Sequence, residues 1–67
     1  MKFAKLRGKI VEVFGTIGKF CEEVGLSQNL LSMKLNGKSD FTYDQIVAIS
    51  NALGISSREI GDYFFKR

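Results

Sequence analysis

Thr16 to Lys38 reads TIGKFCEEVGLSQNLLSMKLNGK, and the interpretation of this stretch decides the fold. Ile17, Phe20, Cys21 and Val24 recur at i, i+3, i+4 and i+7, which places all four on one face of a helix. Gly25 ends that run, because glycine accepts the left-handed backbone that closes a helix. Leu26 follows as an apolar residue able to pack beneath the corner. Ser27 then caps a second helix, its hydroxyl taking an N–H of the first turn. This helix is expected from Gln28 to about Asn36, with Gly37 as its stop.

In the second helix Leu31 and Leu35 share a face, flanked by Leu30. Gln28, Asn29, Ser32 and Asn36 point away from it, with Met33 at the edge of the polar side. That outer face carries amides and a hydroxyl and no formal charge. Amides donate and accept together, and Asn or Gln matches the adenine edge in the major groove. A helix, a tight glycine turn and a helix with a polar outer face form the helix-turn-helix arrangement.

The stretch resembles the helix-turn-helix of the phage repressor and Cro-like family of DNA-binding regulators. The resemblance rests on the capping Thr16, the small Cys21, the turn residue Gly25, the Leu26-Ser27 pair, the apolar Leu31 and the closing Asn36-Gly37-Lys38. It departs at Ile17, where the family often has a phosphate-contacting glutamine, and at Lys34, a place that is usually apolar. Leu35 beside it takes over the apolar role. The family adds one helix before the motif and two after, so the resemblance covers nearly the whole chain. It implies a homodimer on a near-palindromic operator, acting by occupancy.

The flanking sequence fits that plan. A first helix is expected from Phe3 or Ala4 to Phe14, with an apolar stripe of Phe3, Leu6, Ile10, Val13 and Phe14. Gly8 weakens its interior, and Gly15 ends it just before the Thr16 cap. Gly18, near the start of the next helix, reads either as a close approach to phosphate or as a tolerated surface glycine. After a short loop, Lys38 to Phe41, Thr42 and Gln45 form a capping box. Tyr43, Ile46, Val47, Ile49 and Leu53 make the apolar side of this fourth helix, Asp44 complements its dipole, and Gly54 closes it. Ser56, with Glu59 as partner, is expected to cap a fifth helix holding Ile60, Tyr63, Phe64 and Phe65. The Tyr63–Phe65 run also admits a short terminal strand.

The whole is expected to be an all-α, compact five-helix bundle, one domain over residues 1–67, and the resemblance implies that it has the lambda-repressor-like DNA-binding fold. Its expected core is Leu6, Ile10, Phe20, Cys21, Val24, Leu31, Leu35, Ile46 and Leu53. A chain of 67 residues lies near the lower limit for folding on a single core.

Composition narrows the function. There is no histidine and one cysteine, so neither a disulfide framework nor a zinc site is expected, and a reducing, cytoplasmic setting is. Cys21 reads as a small buried thiol. The basic N-terminus lacks the long apolar segment of a signal peptide, and no run approaches a membrane span. No nucleophile–base pair and no phosphate-binding glycine loop stands out, so neither catalysis nor a cofactor is expected. Residues 1–38 hold seven basic and three acidic groups, net +4, and residues 39–67 three and four, net −1. Positive charge therefore accompanies the helix-turn-helix half.

For DNA, the expected base-contacting residues are Gln28, Asn29, Ser32 and Met33. The expected phosphate contacts are Thr16 and Ser27 at the helix N-termini, with Lys19, Asn36, Lys38 and Arg7. Phe64 and Phe65 are expected at a homodimer interface, unless they pack back on the first helix. The alternative is a protein-interaction module on the same fold, antirepressor- or antitoxin-like, whose third helix meets protein.

Overall fold

The computed structural model describes residues 3–65. These form five helices and no strand: α1 (Ala4–Phe14), α2 (Ile17–Val24), α3 (Gln28–Leu35), α4 (Tyr43–Leu53) and a terminal helix (Gly61–Phe65). Three of the starts are the ones the capping residues predict. Thr16, Ser27 and Thr42 are extended, and each hydroxyl accepts the N–H three residues on. At Thr42 the box is complete, since its own N–H donates to Gln45 Oε1 at 3.0 Å.

The fifth start differs from expectation. Glu59 Oε1 accepts from both the N–H (3.3 Å) and the hydroxyl (3.1 Å) of Ser56, while the Glu59 N–H donates to the Ser56 carbonyl. The Ser56 hydroxyl thus acts as a donor and not as the cap. Residues 57–59 form turns, and the terminal helix begins only at Gly61, wound as a wide π turn.

The core is Leu6 and Ile10 of α1, Phe20 and Cys21 of α2, Leu31 and Leu35 of α3, Ile49 and Leu53 of α4, with Ile55, Tyr63 and Phe64. Val24 and Ile46, expected in it, are half-buried at its edge. Two stripes are corrected. Val13 is 47% exposed, because Phe14 takes the inward place at the end of α1 and meets Phe20 edge-on at 5.2 Å. In α4 the inward stripe is Ile46, Ile49, Ser50 and Leu53, itself i, i+3, i+4, i+7. Val47 lies about 100° round from Ile46, and Tyr43 is 79% exposed.

A second apolar contact ties the ends of the chain together. Phe41 meets Phe3 at 5.3 Å and Phe64 at 5.2 Å, both edge-on. Phe41 stands in the short segment after α3, where it joins the start of α1 to the terminal helix.

Phe20 has no exposed surface. Truncating it to alanine is expected to cost about 3–5 kcal/mol, comparable to all that so small a core supplies. Urea denaturation should show Phe20→Ala largely unfolded, and an unchanged midpoint would remove Phe20 from the structural centre.

Candidate nucleic-acid interface

Three residues, Gly25 to Ser27, connect α2 to α3. Gly25 adopts φ 74°, ψ 28°, and the Cys21 carbonyl accepts both its N–H (2.9 Å) and that of Leu26 (3.1 Å). Leu26 turns half-inward to the core. α3 starts at once, its Ser27 hydroxyl 3.0 Å from the Leu30 nitrogen. At the other end Gly37, φ 79°, lets the Lys38 N–H reach the Met33 carbonyl (2.9 Å) and the Gly37 N–H the Lys34 carbonyl (3.1 Å). The Met33 and Lys34 carbonyls near the end of α3 are thereby satisfied, and the chain turns away beside Lys38.

These closures fix which way α3 faces. Leu31, Lys34 and Leu35 are buried; Gln28, Asn29, Ser32 and Met33 are exposed, as is Asn36. The expected base-contacting residues therefore form one outward surface. Thr16, Lys19, Ser27 and Lys38 are exposed as well, and the Thr16 and Ser27 hydroxyls keep a proton to donate after accepting the cap bond. Lys19 shares its residue with the cap, its backbone N–H donating to Thr16 Oγ1 at 3.2 Å. Arg7 stands apart from this set. It belongs to α1 and is half-buried, and its Nε is buried with no hydrogen-bond partner.

Other basic residues are engaged within the chain. Lys9 pairs with Glu12 at 3.2 Å, and that hydrogen bond and charge raise the Lys9 pKa above its ordinary value. The Lys5 ammonium lies 4.8 Å from the centre of the Tyr63 ring.

Lys34 is buried, only 4% exposed. Its Nζ donates to the Asp40 carbonyl at 2.6 Å and to Ser39 Oγ at 3.4 Å, and stands 5.9 Å from the centre of the Phe41 ring. The departure from an apolar residue is thus absorbed inside the protein. Lys34 and Leu35 are both inward, and the ammonium reaches past the end of α3 to hold the following loop. Periodicity alone does not find this role, since it counts lysine as outward. The only signal in the sequence is a lysine at an inward-facing position with an aromatic residue soon after.

Cys21 is buried and unpaired, and burial pushes its thiol pKa up, so it stays protonated at neutral pH. No helix among the described residues is long and apolar enough to cross a membrane.

Residues 1–67 match the family described as Protein of unknown function (DUF739). The match spans the whole chain, which therefore belongs to this family. No curated protein matches the sequence.

Lys34→Ala is expected to destabilise the fold by about 1–3 kcal/mol, through lost charge-assisted hydrogen bonds and lost packing of the stem. Lys34→Met should recover most of that loss, because an apolar side chain of similar volume replaces a buried charge at little cost. Urea midpoints of the two variants, with amide exchange at Asp40 and Phe41, provide the check.

Proposed function

We propose that this member of the DUF739 family is a sequence-specific double-stranded DNA-binding transcriptional regulator, built on a helix-turn-helix and acting, like phage Cro and short repressors, by occupying an operator. The observation that carries this reading is the outward face of α3. Gln28, Asn29 and Ser32 are exposed together just beyond a capped helix N-terminus, while Leu31 and Leu35 are fully inward. The first turn of such a helix is the part that reaches base edges. Two helix N-termini, at Thr16 and Ser27, supply N–H groups for phosphates, and Lys19 and Lys38 supply charge. The isoelectric point of about 9.3 suits a polyanionic partner. A role on DNA also implies a cytoplasmic location.

In this reading Gln28 and Asn29 read bases, with Ser32 and Met33 beside them. Thr16, Lys19, Ser27, Asn36 and Lys38 hold the backbone, and Arg7 contributes at most long-range charge. A near-palindromic operator calls for a homodimer. Phe64 is buried in its own chain, leaving Phe65, 68% exposed, as the member of that pair able to meet a second subunit.

One observation favours the alternative of a protein partner. Leu30 and Met33, one turn apart on α3, are 36% and 38% exposed, an apolar pair of the kind that anchors protein contacts. Salt separates the two readings, because phosphate contacts make affinity fall steeply as salt rises.

Against single-base variants of a site selected from random duplex DNA, Gln28→Ala should lose about 1–3 kcal/mol of discrimination at one or two base pairs and keep its salt slope. Lys38→Ala should weaken every sequence alike and lower the slope by about one. Equal loss on all sequences for Gln28→Ala would remove Gln28 from base reading. For the dimer, sedimentation equilibrium should show self-association, on DNA if not free, that is reduced in Phe65→Ser; a wild type monomeric in both states rules it out.

A further inference from the structure

Gly18 is the second residue of α2, and its backbone is not left-handed. Nothing in its conformation requires glycine, and alanine is the better helix former there. Its surroundings differ from those of Gly8 in α1, where an added Cβ would meet nothing within 4 Å. At Gly18 a Cβ would stand 3.2 Å from Nε2 and 3.9 Å from Cδ of Gln28, with Thr16 Oγ1 at 4.0 Å. The Gln28 carboxamide therefore lies against the first turn of α2, so close that a Cβ at position 18 would press it away by a few tenths of an ångström. Gln28 is otherwise exposed at the head of α3. A long side chain in water samples many rotamers, and contact with the bare backbone of α2 selects among them.

We propose that Gly18 is a positioning residue for sequence readout: by lacking a side chain it lets the Gln28 carboxamide lie across the first turn of α2, which sets the angle at which the amide meets a base edge. The inference rests on the DNA-binding reading and adds to it a residue that contacts no base itself. A bidentate amide–adenine pair requires both atoms of the amide in one plane with the base edge, so a small displacement of the carboxamide removes one of the two bonds. A methyl group at position 18 produces such a displacement. The fold tolerates it, because the group that must move is the end of a flexible, exposed side chain.

The test is Gly18→Ala, alone and combined with Gln28→Ala, with Gly8→Ala as control. Thermal unfolding of Gly18→Ala should be unchanged or raised. In the free protein, NMR should show the Gln28 side-chain amide resonances shifted by Gly18→Ala and unmoved by Gly8→Ala. On selected duplex DNA, Gly18→Ala should lose about tenfold in preference at the base pair that Gln28 reads, and lose nothing further in the Gln28→Ala background. Equal losses in both backgrounds, or unmoved Gln28 resonances, overturn the role of Gly18 while leaving DNA binding intact. A wild type without salt-dependent, sequence-selective DNA binding overturns the function, and the role in readout with it.

Discussion

The left-handed turn at Gly25 is the constraint on which the candidate surface depends. A residue with a Cβ would be strained by about 1–2 kcal/mol at that φ and ψ. Because the Cys21 carbonyl takes two N–H groups there, the chain leaves α2 in one direction. Leu26 is drawn inward and Ser27 is already in place as a cap. Little rotational freedom then remains for α3. Leu31 and Leu35 must turn to the core, and Gln28, Asn29, Ser32 and Met33 must turn out. The exposure of the polar face is a consequence of burial on the other side.

The far end of α3 is held differently. Lys34 brings a charge into the protein, where losing hydration is costly unless hydrogen bonds replace it. The Asp40 carbonyl and Ser39 Oγ accept them, and the Phe41 ring lies beside the ammonium. Phe41 in turn stacks edge-on with Phe3 and Phe64. One side chain of α3 thus connects the loop that follows it to both ends of the described chain. In a protein with few large buried groups, this second cluster extends the core into a segment that would otherwise be a free loop. It also fixes the path of the chain just after Lys38.

Much of the architecture was legible because its signals are local. A hydroxyl three residues before an N–H and a glycine one step past the last apolar position act within a single turn, and apolar residues at i, i+3, i+4 and i+7 within about two. Thr16, Ser27, Thr42, Gly25 and Gly54 could be read on those grounds. So could the inward Leu6, Ile10, Phe20, Cys21, Leu31, Leu35 and Leu53. The Ser56–Glu59 pair departs from the expected cap because the same two side chains can bond in either direction. Val13 is outward because Phe14, one residue on, competes for the same inward place.

What the sequence determined by itself was the number of helices, three of their starts, and the set of amides on one face of α3. These depend on interactions within about four residues. The tertiary structure decided what depends on residues far apart in the chain. Lys34 could turn inward only because Phe41 and the Asp40 carbonyl wait there. Phe64 became core because Phe41 lies against it. Gln28 rests on Gly18 because the corner at Gly25 folds the head of α3 back onto the first turn of α2. No local pattern encodes that contact: the glycine and the glutamine are ten positions apart, and the space one leaves has meaning only once the other lies against it.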